Sequence, residues 1–203
     1  AAYELLTTDE YRRRIAWEHV RFYFGDERNV PPDDERSNFR MADEALLQPL
    51  GIDPANVFRW QTELGDVAET ADGYEKKLRE LGGQFDLVLL GLGEDGHTAS
   101  LFPGSDSLKD RERLAVSTTI PSTGEIRFTF TLSAINTARL VIFLVSGEQK
   151  AAIVEQMFAE DGPNELPAAM VDPGPERVIW LIDEAAASRL ERPGDLHLPR
   201  QAP

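Results

Sequence analysis

The chain has 203 residues, 41% of them hydrophobic and none of them cysteine, enough for one well-filled core and excluding disulfides, thiol nucleophiles and thiolate metal sites. Its 36 acidic residues outnumber 21 basic ones for a formal charge of −15, a field that repels nucleic acid and anionic membranes. No apolar run approaches the roughly 18 residues of a membrane span, and the opening AAYELLTTDEYRRR has no apolar signal region, so a cytoplasmic protein with neither partner is expected.

Residues 3–15 read as the later part of a helix, and Val20 to Phe24 as a short strand running into Gly25-Asp26-Glu27-Arg28. A proline-rich, charged loop reaches Arg36, and Ser37 is placed to cap a helix through Leu47. Val67, Ala71, Tyr74, Leu78 and Leu81 share one face of a second helix that Gly82-Gly83 ends. Strands are expected at 85–90, 114–119, 126–132 and 139–145, then a helix over 148–160, a strand from Arg177 to Ile182 and a last helix to about Leu190. This alternation predicts an α/β fold built on a doubly wound sheet. Residues 1–190 are expected to form a single domain and 191–203, rich in proline and charge, a loose tail. Residue 1 falls inside the first helix, whereas a doubly wound domain ordinarily opens on a strand. An amino-terminal part is therefore expected to precede it.

The most informative stretch is FDLVLLGLGEDGHTASLFPG, Phe85 to Gly104: a buried-type strand delivering two carboxylates and a histidine at its carboxyl end, where open α/β sheets bind ligands. Gly91, Gly93 and Gly96 spell G-x-G-x-x-G, but a dinucleotide fingerprint needs a full helix after the turn. Pro103 leaves room for barely two helical turns, and Glu94 and Asp95 would oppose a diphosphate. Three strands run into polar clusters, Asp26-Glu27-Arg28, Glu94-Asp95-Gly96-His97 and Gly147-Glu148-Gln149-Lys150, which share one sheet edge if the strands are parallel. His97 is the acid–base candidate, and Asp95 is placed to orient its ring, to accept a second proton or to cap a short helix. His19 and His197 read as structural. The chain has no G-x-S-x-G elbow, no H-E-x-x-H, no histidine pair at metal-ligand spacing and no P-loop lysine. General-base hydrolysis or proton transfer on a small anionic substrate remains, with Arg28, Arg127 and Lys150 as phosphate partners.

GLGEDGHTASLFPG, FYFGDERNVPPDDERSNFRMADEALL and RFTFTLSAINTARLVIFLVSGEQK together resemble the 6-phosphogluconolactonase family, within the superfamily that includes glucosamine-6-phosphate deaminase. The resemblance runs from Ala2 to about Leu190. It implies a Rossmann-like fold of three α/β/α layers with a mostly parallel sheet, and hydrolysis of 6-phospho-D-glucono-1,5-lactone with no cofactor. A monomer or weak dimer that holds no metal and acts on the small phosphorylated lactone is expected. It implies that His97 is the general base and that Arg28, Arg127 and Lys150 bind the sugar phosphate, and Asp95 is expected to be catalytic beside His97. Asp26, Gly93 and Gly96 complete the expected substrate-binding set, an arginine or the N–H groups of the glycine turn holding the developing oxyanion. The alternatives are an amino-sugar-phosphate deaminase or isomerase, against which the S-L-F-P-G run after His97 speaks, and a sugar-phosphate-binding module without catalysis. Compared with the family, about 50 residues, including a strand and a glycine-serine-threonine-proline phosphate loop, are expected ahead of residue 1. A chain extended by them is expected to be more stable and more active.

Overall fold

A computed structural model describes residues 2–159 and 165–190. Its elements in chain order are α1 (Ala2–Leu6), α2 (Asp9–Arg12), β1 (Phe22–Tyr23), β2 (Asp26–Arg28), α3 (Asn38–Ala42), a π-helical segment (Asp43–Leu47), α4 (Gln48–Leu50) and β3 (Val57–Phe58). They continue with α5 (Val67–Glu80), β4 (Val88–Leu90), β5 (Ala115–Thr119), β6 (Ile126–Phe130), α6 (Leu132–Ile135), β7 (Val141–Val145), α7 (Ala151–Phe158) and β8 (Val178–Ile182). Strands β4, β7 and β8 form a parallel sheet in that order, β1 pairs parallel with β3, and β2-β6-β5 is antiparallel. The fold is Rossmann-like α/β.

The longest helix shows why these residues form these elements. The Asp66 side chain caps α5 by accepting the Glu69 N–H at 2.8 Å, with Glu69 in the first turn and Lys77 and Arg79 in the last, as the helix dipole favours. Ala71, Tyr74 and Leu78 recur at helical spacing on its buried face, as the sequence predicts. Tyr74 reaches across the core: its hydroxyl accepts the Phe24 N–H at 3.0 Å and donates to the Phe58 carbonyl at 2.8 Å. Burial pushes that phenol far above its ordinary pKa. The Glu75 carboxylate accepts the N–H groups of Leu114 and Ala115 at 2.8 and 2.9 Å, which pins α5 to the start of β5. In the parallel sheet Val88, Leu90, Val141, Phe143 and Val145 are buried, and α7 lies on that face through a T-shaped Phe158–Trp180 contact at 5.3 Å. The pleat turns Leu89, Leu144, Ile179 and Leu181 the other way, and these are exposed among the described residues.

Several predicted elements differ from the observed ones. The helix expected over 3–15 is broken into α1 and α2, because the Thr7 and Thr8 hydroxyls bond to the carbonyls of Glu4 and Leu5 and end the first helix. The helix expected to end at Leu47 runs on to Leu50 through its π-helical segment. The strand expected at Val20–Phe24 is only Phe22–Tyr23, and the next strand is the polar cluster itself, Asp26–Arg28. The last helix is a set of turns after β8: Asp183 engages the N–H groups of Gly147 and Ala186, and so short a segment gains too few helical bonds to offset nucleation. The expected tail, 191–203, lies outside the described residues. Among those residues no helix is long and apolar enough to cross a membrane.

Candidate functional site

The backbone leaving β4 folds back on itself. The Gly93 N–H donates to the His97 carbonyl at 2.8 Å, and the Gly96 N–H donates to the Gly93 carbonyl at 3.0 Å. Gly96 sits at φ +81°, where a side chain would be strained. No helix follows. A bridge between Thr98 and Leu101 closes the segment instead, so the glycines do not open a dinucleotide-binding helix. The two N–H groups are engaged within the turn, so Gly93 and Gly96 contribute its shape rather than donors for a substrate or oxyanion. Gly93 has a second function: a Cβ built on it would overlap the His97 ring and the Asp95 carboxylate.

His97 is one-third exposed and its ring lies against Phe102, with centroids 4.7 Å apart. Asp95 Oδ1 meets the His97 backbone N–H at 3.1 Å and ring Nδ1 at 2.5 Å. Burial would raise the Asp95 pKa, but these hydrogen bonds outweigh it and hold the carboxyl below the ordinary range. An ionised carboxylate only accepts hydrogen bonds, so Nδ1 carries the proton and Nε2 keeps its lone pair for an incoming one. Asp95 thus orients the ring and does not cap a helix.

Asp26 and Arg28 point from one face of β2, and their register partners on β6 are Thr129 and Arg127. Two arginines therefore stand directly opposite one another, an arrangement that costs stability unless an anion sits between them. Arg127 Nη2 reaches Glu125 at 3.1 Å, while its buried Nη1 has no hydrogen-bond partner among the described residues. Desolvation, with Arg28 adding to it against the pull of Glu125, lowers the Arg127 pKa. Arg28 donates Nη1 to the Arg36 carbonyl. Asp26 is turned inward: Oδ2 accepts the Ser100 hydroxyl at 2.9 Å and Oδ1 accepts Asn38 Nδ2 at 3.2 Å. Burial raises its pKa, against the counter-pull of Ser100, Arg28 and Arg127. The Tyr3 phenol of α1 is pushed up by burial and by the charge of Asp26, which places α1 beside the cluster.

The three polar clusters therefore converge by a different route from the one the sequence suggests. Only the His97 turn and the Gly147–Lys150 segment leave parallel strands at one edge, β4 and β7. Asp26–Arg28 belongs to the antiparallel ladder and meets the His97 turn through Ser100, because its alternate residues pair with Thr129 and Arg127. The Lys150 N–H donates to the Gly147 carbonyl at 3.0 Å, and its side chain makes no hydrogen bond or ion pair with a described residue. Ser100, Asn38 and Thr129 were not singled out from the sequence, although Asn38 lies in the SNFRM segment and Ser100 three residues after His97. An open apolar cleft lined by Tyr3, Leu89, Leu90, Gly91 and Leu144 borders the turn but carries no acid–base group besides the Tyr3 phenol.

Known proteins share this arrangement of elements. The family model described as glucosamine-6-phosphate isomerases/6-phosphogluconolactonase matches residues 1–180. A 6-phosphogluconolactonase of Synechocystis is 41% identical over 187 residues, covering 88% of this chain and 77% of that one. A human 6-phosphogluconolactonase is 41% identical over 180 residues, covering 86% of this chain and 69% of that one. The solved 6-phosphogluconolactonase of Trypanosoma brucei superposes with a TM-score of 0.81 at 31% identity, over 93% of this chain and 81% of that one.

Proposed function

This chain belongs to the glucosamine-6-phosphate isomerase/6-phosphogluconolactonase family, and from that premise we propose that it hydrolyses 6-phospho-D-glucono-1,5-lactone to 6-phospho-D-gluconate. The observation that carries the reading is a histidine with Nδ1 bonded to a carboxylate, linked through one serine to a ladder that sets two arginines face to face. His97 Nε2 takes a proton from water as the oxygen attacks the lactone carbonyl carbon. The resulting imidazolium returns the proton to the ring oxygen when the C–O bond breaks. Arg28 and Arg127 bind the phosphate, Arg127 offering its unpartnered Nη1, and Lys150 is a third cation, at the parallel-sheet edge from which the His97 turn also leaves. Positioning supplies the rest of the rate, since a δ-lactone is already a reactive ester.

The direct test is hydrolysis of the phosphorylated lactone above its spontaneous rate; a rate equal to the uncatalysed one would overturn the reading. Arg127→Gln is expected to raise KM for the phosphorylated lactone by ~10- to 100-fold, the worth of a hydrogen bond to a charged group. KM for unphosphorylated glucono-1,5-lactone should change much less. An equal change for both substrates would remove Arg127 from the phosphate site.

Gly93→Ala probes the turn without touching an ionisable group. The new Cβ occupies the volume of the His97 ring, so the ring must swing away from its present place. A displacement of this kind is expected to lower kcat by about 10²-fold. Circular dichroism establishes that the variant is folded. Unaltered turnover would mean that the ring position observed here is not the reactive one.

A further inference from the structure

Ser100 is 2% exposed and lies three residues after His97. It bonds to both strands of one cross-strand pair. Its N–H donates to Thr129 Oγ1 on β6 at 3.2 Å, and its hydroxyl donates to Asp26 Oδ2 on β2 at 2.9 Å. Thr129 and Asp26 are register partners, and the next pair on that face of the ladder is Arg127 with Arg28. One pleat repeat, about 7 Å along the strand, thus separates the point where the His97 turn is fastened from the two arginines.

The fastened segment is strained. Ala99, between His97 and Ser100, adopts φ +48°, a conformation that non-glycine residues avoid and that persists only where the surroundings enforce it. The enforcing contacts are on either side: Thr98 Oγ1 donates to the Gly91 carbonyl at 2.8 Å, and Ser100 makes the two bonds to the ladder. Asp26 is partly buried and is held from its other oxygen by Asn38, so both its oxygens already have partners and it would repel an incoming phosphate. Nor is Ser100 placed as a nucleophile, since its buried hydroxyl already donates to a carboxylate.

We propose that Ser100 and Asp26 are positioning residues, a latch that holds the strained His97 turn at a fixed place relative to the arginine pair. Asp26 is thereby moved from the set of expected ligands to the frame that aligns base and anchor. The inference rests on the lactonase reading, because alignment is expressed in the rate of that reaction. Without the latch the arginines still hold the phosphate, and Ala99 relaxes with His97 attached to it.

The test compares Ser100→Ala, Asp26→Asn, their double variant and Thr129→Val, with kcat expressed per folded molecule. Ser100→Ala is expected to lower kcat by ~10- to 100-fold, with KM for the phosphorylated lactone within about threefold of the parent. The double variant should lose no more than the worse single one, because both break the same bond. Thr129→Val removes the second fastening and should lower kcat in the same sense, so it carries the test if Ser100→Ala fails to fold. A loss of thermal stability with kcat per folded molecule unchanged in both Ser100→Ala and Thr129→Val would overturn the latch. So would additive losses in the double variant. The His97 ring resonances, assigned by comparison with His97→Gln, are expected to shift in Ser100→Ala, and unmoved resonances overturn the latch without any activity measurement. Absence of lactonase activity in the parent overturns the functional reading alone, and the ring resonances then decide the latch.

Discussion

Replacing His97 by Gln lowers kcat for the phosphorylated lactone by about 10²–10⁴-fold, the usual contribution of a positioned general base. Glutamine fills similar space and still forms hydrogen bonds, but it takes no proton at neutral pH. The effect should fall on kcat and kcat/KM together, because Arg28 and Arg127, which sit on a separate ladder, still hold the substrate. Steady-state kinetics corrected for spontaneous ring opening provide the measurement. Near-normal turnover would take His97 out of the mechanism. Asp95→Asn should lose part of the same factor, because the amide engages Nδ1 without favouring its N–H tautomer as strongly as the carboxylate at 2.5 Å does.

Replacing Glu27 by Ala destabilises the fold by about 2–5 kcal/mol, as expected when a buried, hydrogen-bonded charge is removed and leaves its partners unsatisfied. Glu27 is 3% exposed, and its carboxylate takes four hydrogen bonds. Oε1 accepts the N–H groups of Arg28 and Asn38, both at 2.8 Å, and Oε2 accepts the Phe39 N–H at 2.8 Å and the Ser37 hydroxyl at 3.0 Å. Three of those donors, the Asn38 and Phe39 N–H groups and the Ser37 hydroxyl, stand at the amino end of α3 and its cap, so one side chain from β2 closes the start of the helical run through Leu50. In a domain of this size the loss corresponds to a fall in Tm of roughly 5–15 °C. Glu27→Gln should fall part of the way, because its amide nitrogen faces donors. Melting curves of the three proteins decide, and midpoints within 2 °C, about the shift of a single kcal/mol or less, would show that α3 is held by its packing alone. A secondary fall in activity is expected, since Asn38, at the start of this helix, also holds Asp26.

What the sequence determined by itself is local and periodic. The apolar run before GLGEDGH, the glycine turn, the Ala71–Tyr74–Leu78 face of α5 and the strands around 115–119, 126–130, 141–145 and 178–182 were all legible, because each depends on neighbours within a few residues and on a period of 2 or 3.6. His97 and Asp95 were legible for the same reason: their contact spans two positions within one turn. Tertiary structure alone decided the rest of the site. Asp26-Glu27-Arg28 reads as a polar loop, and it becomes a strand only because residues about 100 positions away, Arg127 to Thr129, supply its ladder. That ladder splits three adjacent polar residues between two fates. The pleat sends Asp26 and Arg28 toward the His97 turn and Glu27 to the opposite side, under the amino end of α3. Whether a carboxylate binds substrate, fastens a catalytic turn or caps a helix depends on which donors surround it. Such partners, drawn from distant segments, leave no local periodic signature in the order of residues.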